Sequence, residues 1–292
     1  MMPFLLKLKY HFYAKRARLQ KPEHGKPYDF RCCLVTVVKN EGPYLKEWIN
    51  HHLKLGVEKI VIIDNWSTDN TLEVLNDFIS RDAVELRRTK KNEMSSFLQA
   101  EELHKVIAEM QKKRMFYWVG VLDPDEFVVL EKQGEQKVKI GEFLSQFKIE
   151  TMGAIVFSWY MFGTSNLKTL NAKKPMVEQL LHRAPEAHNE HRQFKPFIYL
   201  PNYSRLFNNP HVPFVKGNSS IVYTDGQVYE KEVVNITHKA GWINHYWYRA
   251  EDYYNEKVKK REAYEDKPRD LKTEKWHRET CNKVVDNRIN AN

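Results

Sequence analysis

The chain has 292 residues, 42% of them hydrophobic and 29% charged, with a mean hydropathy of −0.65. This composition excludes collagen-like and low-complexity chains, and the length permits a large core without cross-links. The net charge of +9 is uneven: the first 31 residues hold eight Lys/Arg against Glu23 and Asp29, which makes +6 and leaves +3 for the remaining 261.

Residues 1–30 interleave those cations with Phe4, Leu5, Leu6, Leu8, Tyr10, Phe12 and Tyr13. The segment is too charged to span a bilayer. It reads either as a peripheral anchor on an anionic membrane surface or as a docked terminal helix with solvated lysines. Three cysteines cannot form a disulfide framework, and adjacent Cys32 and Cys33 lie in an apolar run. They read as buried thiols of a reducing compartment, so the expected location is cytoplasmic, peripheral on the inner face of a membrane.

From residue 32 a strand–helix rhythm begins. Residues 32–38, CCLVTVV, form a continuous β-branched apolar run, as a strand buried on both faces requires. Pro43 suits the first turn of a helix carrying Leu45, Trp48, Ile49, His52 and Leu53, and Gly56 is its stop. Residues 59–63 predict a second strand ending at Asp64. Ser67 is the expected cap of a helix with Leu72, Leu75, Phe78 and Ile79 inward. Residues 84–86 predict a third strand, 97–113 a long amphipathic helix and 117–122 a fourth strand. That strand runs into Asp123-Pro124-Asp125-Glu126-Phe127. Beyond these, residues 154–160 read as a strand, 162–220 as loops and short strands, 249–264 as a helix, and 265–292 as a charged, solvated tail.

Alternating strands and helices predict an α/β fold with a mostly parallel sheet, whose ligands bind at the carboxyl ends of the strands. Lys39-Asn40-Glu41, Asp64-Asn65 and the acid cluster all occupy such exits. In an extended stretch, period two places Asp123 and Asp125 on one side, where paired carboxylates favour a hard divalent ion, Mg²⁺ or Mn²⁺. His245, between Asn244 and Tyr246, is the best further ligand; the alternative is a packed core histidine. A P-loop, a Gly-x-Gly-x-x-Gly fingerprint and a Gly-x-Ser-x-Gly elbow are all absent.

The ordered motifs Val37-Val38-Lys39-Asn40-Glu41-Gly42-Pro43, His51-His52, Ile63-Asp64-Asn65-Trp66-Ser67-Thr68-Asp69, Leu122-Asp123-Pro124-Asp125-Glu126-Phe127 and Asn244-His245-Tyr246 resemble the family-2-like glycosyltransferases. The resemblance is strongest to the group related to family 92. It implies a GT-A, Rossmann-like, mostly parallel sheet flanked by helices, with a C-terminal acceptor-side region and helix. It also implies a nucleotide-sugar donor, a UDP-sugar by expectation, and a glycan or lipid-linked acceptor in polysaccharide or lipopolysaccharide assembly. Residues 31–264 would be the transferase domain, with 31–130 as the nucleotide-sugar half and 131–264 as the acceptor half. Val37, Lys39, Asn40 and Glu41 would lie along the nucleotide, Asp64 would meet the base, and Asp123 and Asp125 would form the DxD metal and diphosphate pair. His245 would complete the metal site.

Inversion at the anomeric centre needs a carboxylate base, for which Glu126, beside the metal, and Glu190, in the acceptor region, are the candidates, with Glu178 and Glu186 also in that region. Two other functions compete. A metal-dependent nucleotidyltransferase would need a glycine-rich basic loop, and Lys39-Asn40-Glu41-Gly42 is too acidic for that and has only one Gly. A nucleic-acid binder would need a basic face, whereas most of the excess charge lies in the first 31 residues, so no nucleic-acid partner is expected.

Overall fold

The computed structural model describes residues 31–90, 95–132, 137–206, 210–217, 219–230, 236–257 and 271–291. The basic segment 1–30 and the second half of the helix expected over 249–264 lie outside them.

The first four strands, β1 (Cys32–Val38), β2 (Lys59–Asp64), β3 (Val84–Arg88) and β4 (Trp118–Val121), pair in parallel in the order β3-β2-β1-β4. β1 is buried at all seven positions, which explains its unbroken apolar sequence at the sheet centre. Between the strands run α1 (Gly42–Leu55), α2 (Thr71–Ser80) and α3 (Ser96–Lys113). Pro43 sits in the first turn of α1, and Gly56 closes the helix in the left-handed conformation at φ 102°. Leu103, Val106, Ile107 and Met110 of α3 pack on one face of the sheet with Val35, Val61 and Val119.

Past residue 122 the order becomes non-local. β5 (Glu126–Leu130), β6 (Met152–Met161), β8 (Phe194–Tyr199), β11 (Ser220–Tyr223) and β12 (Gly241–His245) complete a nine-stranded sheet, β3-β2-β1-β4-β8-β6-β12-β5, with β11 against β6. β8 is antiparallel to both β4 and β6, β12 is parallel to β6, and β5 is antiparallel to β12. Seven strands therefore point one way and only β5 and β8 the other. The consequence for function is direct. The exits of β1, β2, β4, β6 and β12, together with the starts of β5 and β8, meet along one edge.

The expected cap at Ser67 is not the cap. α2 begins at Thr71 with Asn70 before it, because the Ser67 hydroxyl accepts the Asn40 N–H at 2.9 Å. The expectation of a solvated tail is also corrected for residues 271–291. A helix, α5 (Leu271–Thr280), leads to β13 (Val284–Val285), which pairs with β7 (His182–Arg183), and to α6 (Arg288–Ala291). Cys281 and Ile289 are buried, and Asp286 accepts Arg183 Nε at 2.7 Å. The short helix between, α4 (Ile140–Leu144), packs under β6 through Phe143 and Phe157. No described helix is long and apolar enough to cross a membrane.

The His51-His52 pair serves the sheet edge. His52 is fully buried; its Nδ1 lies 2.9 Å from the Trp48 carbonyl, and its Nε2 accepts the Val128 N–H at 3.3 Å. That pattern requires the neutral ring, and burial holds His52 well below its ordinary pKa. Burial similarly lowers His188 to about 4 and His191 to about 3. A folded-state pKa below the unfolded one contributes stability above the unfolded value, and the contribution disappears as pH falls towards the folded value. We expect melting temperature to be level near pH 7–8 and to drop below about pH 6.5, each such histidine adding up to about 1.4 kcal/mol per pH unit. Melting curves that are flat from pH 7 to pH 5 would contradict this.

Candidate functional site

A cleft of about 760 Å³ opens at the shared strand edge, lined by Val37, Lys39, Glu41, Gln99, Asp123, Pro124, Asp125, Trp159, Met161, Glu190, His245, Trp247, Tyr248, Tyr254, Lys257 and His277. Of the ten residues singled out from sequence, Val37, Lys39, Glu41, Asp123, Asp125, Glu190 and His245 are brought together here. Asn40, Asp64 and Glu126 are not among the lining residues.

Asn40, at φ 58°, binds the neighbouring loop instead: its Oδ1 accepts the Thr68 N–H at 2.7 Å. Two further bonds fasten the loops, from Glu41 N to Thr71 Oγ1 at 3.0 Å and from Gly42 N to Asp69 Oδ2 at 3.1 Å. The approach is so close that a Cβ on Gly42 would lie 2.8 Å from the Thr71 backbone nitrogen. Asp64 is fully buried. Its Oδ1 accepts the Ser67 N–H at 3.0 Å and its Oδ2 accepts Arg88 Nη2 at 3.1 Å, while the Arg88 guanidinium lies 4.5 Å from the Trp66 ring centroid.

Asp123-Pro124-Asp125 forms a tight turn, closed by Glu126 N–H to the Asp123 carbonyl at 3.1 Å, rather than an extended stretch. The two carboxylates consequently meet different partners. Asp123 Oδ2 accepts Lys195 Nζ at 2.7 Å, and its Oδ1 accepts Gln99 Nε2 at 3.2 Å. Asp125 Oδ1 is 3.5 Å from His245 Nε2, and its Oδ2 is 3.4 Å from Lys257 Nζ. Burial alone would raise the Asp125 carboxyl; Lys257 and His245 outweigh it and hold the group well below its ordinary value. Asp123 is lowered by Lys195 against the same burial.

Glu126 lies behind the turn, fully buried, with Oε2 accepting the Asp123 N–H at 2.7 Å and Oε1 without a hydrogen bond. Burial pushes its carboxyl well above the usual range, even with Lys195 Nζ 3.6 Å away.

Topology explains why His245 arrives. It is the last residue of β12, registered opposite Glu126 of β5 and Met161 of β6, and the next amide, Tyr246 N–H, donates to the Asp125 carbonyl at 2.8 Å. Its Nδ1 is buried without a hydrogen-bond partner. Among the described residues no group of three or more His, Cys, Asp or Glu side chains is arranged to hold a metal ion. Asp125 and His245 are the pair whose donor chemistry fits one, a hard oxygen and an imidazole in contact.

Several site residues carry no local sequence signal. Lys195 comes from the start of β8, whose antiparallel insertion between β4 and β6 delivers it to Asp123. Arg249, fully buried, donates to Glu41 at 2.6 Å, and burial raises the Glu41 carboxyl above its ordinary value despite that partner. His277 reaches the cleft from α5. Among the aromatic residues of this region, Trp159 lines the cleft, whereas Tyr160 and Trp242 face the Arg288 guanidinium at 4.9 and 4.2 Å.

Residues 28–288 match the profile of glycosyltransferase family 92. The chain belongs to that family. Its mostly parallel sheet flanked by helices matches the α/β architecture expected from the sequence. Relatives include a glycosyltransferase family 92 protein of Oryza sativa subsp. japonica, 26% identical over 234 residues, 79% of this chain and 35% of the relative. A family 92 protein of Ricinus communis is 26% identical over 258 residues, 84% of this chain and 41% of the relative. The chain thus spans well under half the length of these relatives. Similar solved structures include S. aureus TarS 1–349 in complex with UDP-GlcNAc, at a TM-score of 0.36 and 12% identity over 68% of this chain and 57% of that one. Glucosyl-3-phosphoglycerate synthase from Mycobacterium tuberculosis, with Mn²⁺, UDP and glucosyl-3-phosphoglycerate, gives 0.29 and 14% over 46% and 44%.

Proposed function

We propose that this family 92 chain is a glycosyltransferase that moves a sugar from a nucleotide-sugar donor, a UDP-sugar, to a glycan or lipid-linked acceptor, with inversion. The observation that carries this reading is the meeting of the Asp123–Asp125 turn with His245 at the carboxyl edge of the sheet, inside a cleft large enough for a nucleotide sugar. Val37, Lys39 and Glu41, the residues read as meeting the donor, line this cleft together with Trp159, Glu190, Tyr248 and Tyr254.

Asp125 and His245 would hold a divalent ion, Mn²⁺ or Mg²⁺, whose remaining positions suit donor phosphates. The chemistry such an ion would supply at Asp125 and His245 is neutralisation of the charge on a departing diphosphate. The chain's own residues do the rest. Lys195 and Gln99 fix Asp123, Tyr246 N–H fixes the Asp125 backbone, and the aromatic wall excludes water around the sugar.

The base that takes the acceptor proton is Glu190. Unlike Glu178 and Glu186, it lines the cleft, and Glu186 is engaged by Tyr160 and Arg183 at 2.8 and 2.6 Å. Glu126 has no such access. Glu190→Gln is expected to lower kcat about 10²-fold or more with UDP binding unchanged; a Gln variant of normal kcat would remove Glu190 from this role. Residues 1–30 would bring the enzyme to an anionic membrane surface. In vesicle co-sedimentation, deletion of residues 1–25 should abolish partitioning, and equal partitioning of the two proteins would contradict the anchor.

A thermal-shift panel of UDP-, GDP- and CMP-sugars with and without Mn²⁺ tests the whole reading, since a ligand bound by the native state raises stability. A shift with a UDP-sugar is expected. A response to none of the panel would contradict the transferase assignment.

A further inference from the structure

Three carboxylates at the strand exits each come with a cation of the chain's own. Glu41 accepts Arg249 Nη2 at 2.6 Å, Asp123 accepts Lys195 Nζ at 2.7 Å, and Asp125 faces Lys257 Nζ at 3.4 Å. The three cations are not equivalent. The Arg249 and Lys195 side chains are 0% exposed, so the surrounding structure holds them in place, whereas that of Lys257 is 28% exposed. Its ammonium sits at the cleft wall, 3.3 Å from the Trp247 carbonyl and 4.4 Å from the Trp247 ring centroid.

Asp125 thus divides its two oxygens. One faces His245 Nε2, on a ring whose other nitrogen has no hydrogen bond, and the other faces Lys257. A divalent ion bound by Asp125 and His245 would share that carboxylate with the ammonium. Like charges at such separations repel strongly in a partly buried site. A diphosphate arriving in the cleft changes the balance, because its oxygens offer the ammonium a second anionic partner, for which lysine serves as a compact point charge.

We propose that Lys257 is the resident counter-cation of Asp125: it competes with a divalent ion for that carboxylate, so the site takes up the free ion weakly and the ion together with a nucleoside diphosphate strongly. This rests on the reading of Asp125 and His245 as the ion's ligands, and it assigns Lys257 the role of coupling the two ligands.

The test is Mn²⁺ binding, read from the electron paramagnetic resonance signal of the free aquo ion, for wild type, Lys257→Met and Lys257→Arg, each with and without UDP. UDP binding in EDTA is measured alongside by calorimetry. Lys257→Met is expected to bind Mn²⁺ alone about tenfold tighter than wild type or better and to lose most of the gain that UDP confers. Lys257→Arg, which keeps the charge, should follow wild type. Equal Mn²⁺ affinity for wild type and Lys257→Met, with UDP enhancing both alike, overturns the proposal and leaves the ion site standing. If no protein takes up Mn²⁺ even with UDP, while UDP binds in EDTA, the ion site and the proposal fall together and the nucleotide reading survives. Melting in EDTA verifies folding, and Lys257→Gln, read by the same criteria, serves if the Met variant fails to fold.

Discussion

Asp125→Ala should reduce sugar transfer by at least about 10²–10³-fold while leaving the fold intact, because it removes the carboxylate on which the proposed electrostatic stabilisation of the leaving group depends. Its side chain faces the cleft rather than the core, so alanine opens no cavity. The Lys257 ammonium left behind is partly exposed and keeps the Trp247 carbonyl as a partner. The stability loss should therefore be small, about 1 kcal/mol. Release of UDP from the donor, measured beside the melting temperature in EDTA, separates the two effects. Near-normal transfer by the alanine variant would remove Asp125 from the chemistry, and a collapse in melting temperature would make it a structural residue.

The opposite profile is expected for Lys195→Met. Lys195 is fully buried between Asp123 and Glu126, and burial without its partner is what a carboxylate tolerates least. Removing the ammonium takes from Asp123 its lysine partner, leaving the Gln99 hydrogen bond, and takes from Glu126 the ammonium 3.6 Å away. A stability loss of about 3–5 kcal/mol is expected. Glu126→Gln added to Lys195→Met should recover part of it, since one uncompensated acid is then gone. Denaturant unfolding of the single and double variants is decisive; a Lys195→Met protein within about 1 kcal/mol of wild type would show that the lysine is not the counter-ion of the turn.

The contrast between Asp125 and Lys195 also shows what the sequence made legible. The half up to residue 130 could be read from local pattern. β1, β2 and β4 are continuous apolar runs because parallel strands are covered on both faces, and Pro43 and Gly56 bracket α1 by backbone conformation alone. The Asp-x-Asp turn stood out because acids directly after a buried strand need a reason. Its geometry did not: period two predicted one shared face, whereas the turn gives Asp123 to Lys195 and Asp125 to His245 and Lys257.

Ser67 has the sequence of a helix cap, yet its hydroxyl is taken by Asn40, a partner 27 positions away. Asp64 was expected at the nucleotide base and is instead enclosed under Arg88. Lys195, Arg249 and Lys257 carry no sequence signal for one shared reason. Isolated cations have no periodicity, and only the antiparallel entry of β8 and the return of the chain through β12 bring them to the acids they neutralise. The same holds for Asp286 and Cys281, which look like tail residues until β13 pairs with β7.

The most direct measurement of the account is calorimetric titration of UDP into wild type, Asp125→Ala and His245→Ala, each in Mn²⁺ and in EDTA. Wild type should bind UDP more tightly in Mn²⁺ than in EDTA. Both variants should lose that difference while melting close to wild type in EDTA, because each removes one of the two ligands proposed for the ion. No UDP binding by wild type under either condition, or an undiminished Mn²⁺ effect in both variants, would contradict the claim that this turn and this histidine form a nucleotide-sugar site.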